Sequence, residues 1–526
     1  MAALAATALT APLLLTAPAA VAQPGAAPAA ADLSQASKGG NKDAKKGEQL
    51  ARKLVRKTDA DGAWKHLEAF QRIADRNDGN RAAGTPGHEA SARYVGKALR
   101  AAGYDVTYQY FDFLYREPIT ERLRQLTPEE RDIEIRLMSH TANSPAGGSE
   151  AELVEVPVNP ETGAGCLPED FDGQSYEGNI ALIMRGACPF ADKQANAAEA
   201  GAIGAVIYNN VEGPLNGTLG APGAGVVPTG GISQEDGQAL SAALAAGEQV
   251  VVDLEIEELA EERVTPNVIA ETRGGDPSNV VMIGGHLDSV AEGPGINDNG
   301  SGSAGVLEAA LQLAKADKKG KHKNKVRFAL WSAEELGLLG AHHYVDTLSE
   351  TERDNIALYL NFDMIASPNY GLFVYDGDGS EGLSAPGPEG SAQIEHTINT
   401  FMTSRGEEPR PTAFSGRSDY GPFIDVGIPA GGTFTGAEGV KTEAQAELWG
   451  GEAGASYDPC YHTPCDDIGN VDRTALDVNV KVIAHLVGVY AWDTASLAKP
   501  VPDGLPADPE TADSGGLHEH GHRADH

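Results

Sequence analysis

Three short apolar runs, at residues 280–283, 326–331 and 356–362, each stop abruptly before polar residues. Runs of this length with helical patterns between them predict buried, parallel strands of an α/β sheet. In such sheets, ligands bind beyond the carboxyl ends of the strands. The polar side chains that follow the three runs are therefore the first candidates for a functional site.

These side chains are donors that a metal ion requires. In chain order they are His286, Asp288, Glu334, Glu335 and Asp363. Carboxylate oxygen and imidazole nitrogen suit zinc, and a carboxylate between two cations can bridge them. Asp298 is the natural bridge because it lies between a glycine-rich loop and a helix start rich in small residues. A second imidazole is needed, and His462 is the best candidate.

The remaining patterns divide the chain into several segments. A helical pattern begins near Leu50, a helix is predicted over 91–102, and a strand over 104–113. A separate α/β unit follows, with two strands around a helix. The predicted divisions are a signal peptide (1–22), a leader or possible pro-segment (23–60), the two parts of a catalytic domain (61–149 and 258–499), an inserted domain (150–257) and a disordered tail (500–526). Within the leader, residues 23–45 are expected to be disordered.

Composition narrows the classes of partner. The 526 residues include 40 basic and 76 acidic residues, which gives a net charge of -36. This charge argues against nucleic acids and anionic membranes as partners. The apolar start ends in Ala20-Val21-Ala22, a signal-peptidase pattern, although no Lys or Arg precedes the run. A secreted monomer is expected.

Four cysteines in an exported chain suggest two disulfides. Cys460 and Cys465 flank His462, and a small loop closed there would hold its backbone. Cys166 and Cys188 lie in the inserted unit and are expected to pair. A cysteine–zinc site is the alternative, but no CxxC spacing occurs.

Six motifs together resemble those of a known family. HLDS, GINDNGSG, AEELGLLG, NFDMI, GRSD and CYHTPC occur in the order and rough spacing of the M28 zinc aminopeptidases. The inserted unit resembles the protease-associated (PA) domain. The resemblance implies a three-layer α/β/α di-zinc exopeptidase domain with a mixed, mostly parallel sheet, interrupted by a small α/β PA domain that shapes or covers the cleft.

The resemblance also implies a role for each site residue. It places His286 and Asp363 on separate zinc ions, with Asp298 bridging, and makes Glu335 and His462 the remaining ligands. It makes Glu334 the general base and Tyr461 a donor to the oxyanion of the tetrahedral intermediate, although a buried core tyrosine is the alternative. It further implies a cis peptide bond between Asp298 and Asn299.

Two further residues complete the predicted site. Asp288, two residues after His286, is expected to orient that imidazole, with a turn-forming Asp as the alternative. Arg417 matches a substrate-binding residue of the family, or else forms a structural pair with Asp419. His342 and His343 are interpreted as surface or packing residues. Some family members also bind calcium, but the matching set of carboxylates is incomplete, with Lys481 in place of an acid, so no calcium site is predicted.

The prediction is therefore a secreted enzyme with two zinc ions. It removes amino-terminal residues, large and apolar ones such as leucine, from peptides or proteins. An M28-type carboxypeptidase or dipeptidase is the alternative enzyme, and a glutaminyl cyclase is more remote. A non-catalytic binding protein on the same scaffold would be expected to lack ligands, and all five are present.

Overall fold

The computed structural model describes residues 30–501. The predicted signal peptide at 1–22 and almost all of the predicted tail at 500–526 lie outside the described residues. The helices are α1 (Ala30–Val55), α2 (Ala60–Ala74), α3 (Pro86–Ala102), α4 (Phe190–Glu199), α5 (Gln234–Ala245), α6 (Gly302–Ala316), α7 (Leu339–Thr347), α8 (Glu350–Asp354), α9 (Ser391–Thr403), α10 (Gly421–Asp425), α11 (Glu443–Trp449) and α12 (Arg473–Tyr490).

The strands belong to one sheet that runs through both domains. They are β1 (Asp105–Thr127), β2 (Arg131–Ile133), β3 (Ile135–Ser139), β4 (Ser149–Glu155), β5 (Ile180–Met184), β6 (Gly204–Tyr208), β7 (Gly217–Thr218), β8 (Thr229–Ile232), β9 (Val251–Glu271), β10 (Asp276–His286), β11 (Asn324–Trp331), β12 (Ile356–Phe362), β13 (Phe373–Tyr375), β14 (Arg410–Thr412) and β15 (Ala430–Phe434).

The catalytic part of the sheet has the order β14-β13-β15-β12-β10-β11-β9. Strands β15, β12, β10 and β11 are parallel to one another, whereas β9 and β13 run antiparallel to their neighbours within this group. Both faces of β10 are buried. Val281 and Ile283 pack with α2, α3, α6 and α12, and Val280 and Met282 pack with α7 and α10 on the opposite face. The predicted three-layer α/β fold is confirmed.

The inserted domain is joined to the catalytic domain by a long antiparallel ribbon. Strands β1 and β9 pair from Asp105 with Glu271 to Thr127 with Val251. At its far end, β9 pairs with β4, and β4, β5, β6 and β8 continue the sheet in parallel. Leu123, Val252 and Leu254 of the ribbon belong to the core of this domain. The predicted strand at 104–113 is therefore only the first part of β1.

The amino-terminal helix differs from prediction. Residues 23–45 were expected to be disordered, but α1 begins at Ala30 and continues to Val55. Near its end, Leu50, Ala51 and Leu54 are buried. A side chain at Gly488 would collide with the backbone of Ala51, so glycine lets α1 pack closely on α12. The expectation was wrong because the absence of an apolar period was taken as disorder, whereas residues 30–45 belong to a helix whose later part packs on α12. Removal of residues 23–60 stays a prediction.

Within residues 30–501, no helix combines the length and the apolar character that a membrane crossing requires.

Candidate metal centre and active site

Adjacent strand ends bring the predicted donors together. Strand β10 ends at His286, and β12, beside it, leads directly to Asp363. On the other side of β10, β11 leads through a short turn to Glu334 and Glu335. The imidazole of His286 is buried, and the carboxylates are at most slightly exposed. The strand order therefore places one histidine between two sets of acids.

Asp298 lies at the centre of the cluster. Its Oδ1 is 3.2 Å from Nε2 of His286, and its Oδ2 is 3.2 Å from Nε2 of His462. Nε2 of His286 is also 3.2 Å from Oδ1 of Asp363. Nε2 of His462 is 3.0 Å from Oε2 of Glu335. The five donors thus form two groups that share one carboxylate.

This grouping corrects one prediction. His286 and Asp363 were assigned to separate ions, but their donor atoms adjoin each other on the same side of Asp298. The assignment was wrong because β12 is next to β10 in the sheet, so the ends of these strands meet. One group is therefore His286, Asp363 and Asp298, and the other is His462, Glu335 and Asp298.

The chemistry of these groups fits zinc. Each combines imidazole nitrogen with carboxylate oxygens, which are common zinc ligands. Oε1 of Glu335 is buried and has no hydrogen-bond partner. Burial raises the pKa of Glu335 to about 7, and the charge of Asp298 adds to this shift. Although burial opposes it, hydrogen bonding to Asp298 and Glu335 raises the pKa of His462 to about 11. The site therefore has a surplus of negative charge that cations would balance.

Glu334 lies at the edge of the first group. Its Oε2 is 3.9 Å from Nε2 of His286, farther than either Asp298 or Asp363. Burial raises the pKa of Glu334 well above its ordinary value, and the negative charges of Asp363 and Asp419 add to this shift. A carboxyl group with a raised pKa beside a metal centre is suited to proton transfer.

The Glu pair precedes α7 by several residues and is not its first turn. Gly337 and Leu338 have φ angles of 101° and 60°, so the chain passes through left-handed conformations before α7 starts at Leu339. Glu334 and Glu335 therefore lie in the turn between β11 and α7. His343 stacks on Phe111, with ring centroids 4.9 Å apart, which agrees with its interpretation as a packing residue.

Asp288 is close to His286 but is not hydrogen-bonded to it. Its Oδ1 lies 3.7 Å from Nδ1 of His286, beyond hydrogen-bonding range. The same oxygen accepts a hydrogen bond from the backbone N–H of Glu334 at 3.4 Å. Asp288 thus connects the end of β10, which carries His286, with the turn that carries Glu334. Its predicted role in orienting the imidazole of His286 stays a prediction.

Tyr461 and Arg417 form the rim of the cleft. Nη2 of Arg417 donates to the phenolic oxygen of Tyr461 at 3.1 Å, and Nη1 donates to Glu438 at 2.7 Å. The ring of Tyr461 stacks on that of His462, with centroids 3.8 Å apart. The alternative pairing of Arg417 with Asp419 is not observed, since both carboxylate oxygens of Asp419 are buried without a hydrogen-bond partner.

Both predicted disulfides are confirmed, as is the cis peptide bond between Asp298 and Asn299. Cys166 pairs with Cys188 in the inserted domain, and Cys460 pairs with Cys465 around His462. His462 has a φ of 55°, a left-handed conformation that costs a non-glycine residue of order 1 kcal/mol or more. The short closed loop therefore holds His462 in a backbone conformation that it would otherwise avoid.

We expect replacement of Cys460 and Cys465 together by serine to affect the site more than global stability. The closed loop spans a sequence separation of 5, so its entropic contribution to unfolding is small. Zinc affinity and kcat should fall, while Tm changes little. Replacing Cys166 and Cys188 by serine is the matched control, and it should leave zinc affinity unchanged. A large fall in Tm with unchanged zinc affinity would contradict this role.

The sequence analysis did not identify the residues that bind the backbone segments around the site. Asp466 accepts hydrogen bonds from the backbone N–H groups of Asn297 and Asp298, at 2.8 and 2.9 Å. The buried guanidinium of Arg81 donates to three carbonyls, those of Leu287, Pro294 and Gly295. Asp466 directly follows Cys465, so its position beside a ligand loop was the available signal.

Comparison with known proteins identifies the family. The model of peptidase family M28 matches residues 267–487, and that of the PA domain matches residues 149–240. An aminopeptidase of Pseudomonas aeruginosa is 44% identical over 478 residues, which cover 88% of this chain and 86% of that protein. This chain belongs to peptidase family M28.

Two further relatives support the same assignment. Leucine aminopeptidase 2 of Trichophyton tonsurans is 45% identical over 427 residues, or 81% of this chain and 83% of that protein. The structure of a zinc aminopeptidase from Bacillus subtilis is 28% identical, with a TM-score of 0.57, and the match covers 82% of this chain and 94% of that one. The M28 peptidase is thus a zinc-dependent aminopeptidase with a PA domain, as predicted.

Proposed function

We propose that this M28 peptidase is a secreted di-zinc aminopeptidase that removes large apolar residues, such as leucine, from peptide amino ends. The observation that carries the proposal is the pair of donor groups that share Asp298 through its two oxygens. One carboxylate contacting two imidazoles from opposite sides is the arrangement that two neighbouring cations require. The number of ions, the substrate preference and the residue roles below belong to the proposal.

Zinc, when bound, supplies a Lewis acid that polarises the scissile carbonyl and makes a water molecule nucleophilic near neutral pH. Glu334 takes the proton of the attacking water and passes it to the leaving amine. Its neighbour Glu335 contacts His462 on the other side of Asp298, so the two adjacent carboxylates serve different tasks. Asp288 fixes the turn that carries Glu334 by accepting its backbone N–H.

Tyr461 is the proposed donor to the oxyanion. Because Arg417 donates to the phenolic oxygen, the hydroxyl proton of Tyr461 is free to point into the cleft. Burial raises the pKa of Tyr461 well above its usual value, so the phenol stays protonated at neutral pH. Arg417 thus orients Tyr461 and lines the substrate cleft, and Glu438 holds Arg417 in turn.

The charges of the cleft favour a substrate amine over a substrate carboxylate. Asp363 belongs to the first donor group and Glu334 lies beside it. Both carboxylates attract an α-ammonium group and repel a terminal carboxylate. Arg81 is buried and engaged with three carbonyls, and Arg417 is paired with Glu438. Neither arginine offers a free guanidinium to a terminal carboxylate. These contacts support an aminopeptidase over a carboxypeptidase.

Secretion rests on two observations. The amino-terminal apolar run with its Ala20-Val21-Ala22 site is typical of an export signal. All four cysteines are paired in disulfides, which persist in oxidising compartments. Peptide and protein amino ends outside the cell are therefore the proposed substrates.

We expect the enzyme to release nitroaniline from leucyl p-nitroanilide but not from its N-acetylated form. Acetylation removes the positive charge that Glu334 and Asp363 would bind and adds bulk where the chain should end. The rates should differ by at least about 100-fold, because an ion pair is lost in a partly desolvated cleft. Alanyl and glutamyl anilides test the apolar preference. Equal turnover of the acetylated compound, or release of residues from the carboxyl end of a peptide, would contradict the proposal.

A further inference from the structure

A second group of carboxylates lies near the edge of the catalytic sheet, between β13 and α9. Asp376 and Asp378 follow β13, and Glu395 is on α9. One carboxylate oxygen from each of these three residues lies within 4.8 Å of the other two. None of these residues belongs to the two donor groups that share Asp298, and the proposed reaction uses none of them.

Asp376 has an oxygen that the protein itself does not satisfy. The side chain is fully buried, and its Oδ1 has no hydrogen-bond partner. Its other oxygen accepts one bond, from the backbone N–H of Glu381 at 3.3 Å. A buried carboxylate oxygen without a donor is destabilising unless a positive group faces it.

The surrounding charges are all negative. Glu381 adds a fourth carboxylate, and the charges of Asp376 and Asp378 reinforce the effect of burial in raising its pKa. Burial raises the pKa of Glu395 to about 7, and Asp378 and Asp376 contribute to that shift. Within residues 30–501, none of the four is within ion-pair distance of a lysine, arginine or histidine. No cationic side chain of the described residues therefore balances this cluster.

The ligand types indicate which cation fits. Zinc sites in proteins combine any carboxylate oxygens with nitrogen or sulfur ligands, whereas this cluster offers oxygen alone. Calcium accepts several carboxylates in flexible geometry, whereas magnesium retains most of its waters. The order Asp376, Asp378, Ser380 places side-chain oxygens at alternate positions, as in known calcium loops. The sequence prediction of no calcium site concerned the family's set of carboxylates, in which Lys481 replaces an acid, and that prediction did not consider these three residues.

We propose that Asp376, Asp378 and Glu395 bind a calcium ion that fastens the segment between β13 and α9. This segment supports one wall of the active site. Ser384 accepts a hydrogen bond from the backbone N–H of Phe414 at 3.1 Å, and Tyr375 stacks on Phe414. Phe414 precedes the loop that carries Arg417.

The test uses the full-length enzyme, loaded with zinc and dialysed against calcium-free buffer that contains zinc. Calcium chloride or magnesium chloride is then added, and Tm and the calcium content after gel filtration are measured. We expect one calcium ion per chain and a rise in Tm of about 3 °C at roughly one hundred times Kd. Magnesium at the same concentration should give a much smaller rise.

Asp376→Asn and Glu395→Gln test the location. Each keeps the shape of the side chain but removes a charge, so each should abolish the bound calcium and the calcium-dependent rise in Tm. Without calcium, each variant should be at least as stable as the wild type, because repulsion within the cluster is reduced. Asp346→Asn, on the exposed side of α7, is the matched control and should retain both calcium and the rise in Tm.

Several results would overturn the proposal. They are the absence of bound calcium in the wild type, an equal effect of magnesium, or an undiminished calcium effect in both variants. The wild-type measurements need no substitution, so they decide the proposal even if a variant fails to fold. Zinc content is measured in parallel, so failure of the calcium site is distinguishable from failure of the zinc centre.

Discussion

Glu334→Gln is expected to leave zinc content and folding intact while kcat falls at least about 100-fold. Glutamine has nearly the same shape but cannot accept and return a proton at neutral pH. The zinc donors should be unaffected, because Glu334 lies at the edge of their cluster, 3.9 Å from Nε2 of His286 and farther from it than Asp298 or Asp363. Zinc per chain by elemental analysis, Tm, and kcat and KM on leucyl p-nitroanilide are the measurements.

Glu350→Gln, at an exposed position on α8, is the matched control and should behave as the wild type. The decisive comparison is between kcat and zinc content in the same preparation. Release of zinc from folded Glu334→Gln would make Glu334 a ligand rather than the base. Unchanged kcat would exclude it from proton transfer altogether.

Asp298→Ala is expected to lose both zinc ions, whereas Glu335→Gln and Asp363→Asn should each lose one. Asp298 is the only one of the five donors that contacts both imidazoles, through different oxygens. Of the two imidazoles, Glu335 contacts only that of His462, and Asp363 contacts only that of His286. Turnover of leucyl p-nitroanilide by Asp298→Ala should therefore fall by several orders of magnitude.

Zinc per chain is measured after dialysis at a fixed free zinc concentration. The double variant Glu335→Gln/Asp363→Asn should match Asp298→Ala, since the two single changes affect different groups. A double variant that keeps one ion would instead place Glu335 and Asp363 in the same group. Two ions retained by Asp298→Ala would rule out the shared ligand.

The sequence was sufficient to find His286, Glu334, Glu335 and Asp363 because each follows a continuous apolar run. Strand β12 begins and ends where predicted, and β10 and β11 extend their predicted runs by a few residues. Such runs are strong signals because strands covered on both faces need apolar residues at every position. The family motifs then identified His462, which no strand end would have indicated.

Sequence patterns could not predict which donors lie next to each other or which buried residues support them. His286 adjoins Asp363 because β12 neighbours β10, and strand order is a property of the whole sheet. The buried contacts of Arg81 and Asp466 join segments far apart in the chain, so no local period reveals them. Helix α1 was missed for a related reason, because its stability comes from packing against α12.

The ribbon of β1 and β9 has a consequence for how the two domains came to share one chain. Phe113 pairs with Arg263 and Leu114 with Glu262, so the chain leaves and re-enters the catalytic domain at directly opposed positions. An ordinary hairpin loop could close the catalytic domain at that point. The PA domain therefore occupies the place of a loop tip, where inserted sequence adds little to the entropy of closure. Backbone hydrogen bonds between β1 and β9 continue beyond this point. The PA domain is therefore attached through a stiff two-stranded ribbon, which restricts its motion relative to the catalytic domain more than a flexible linker would.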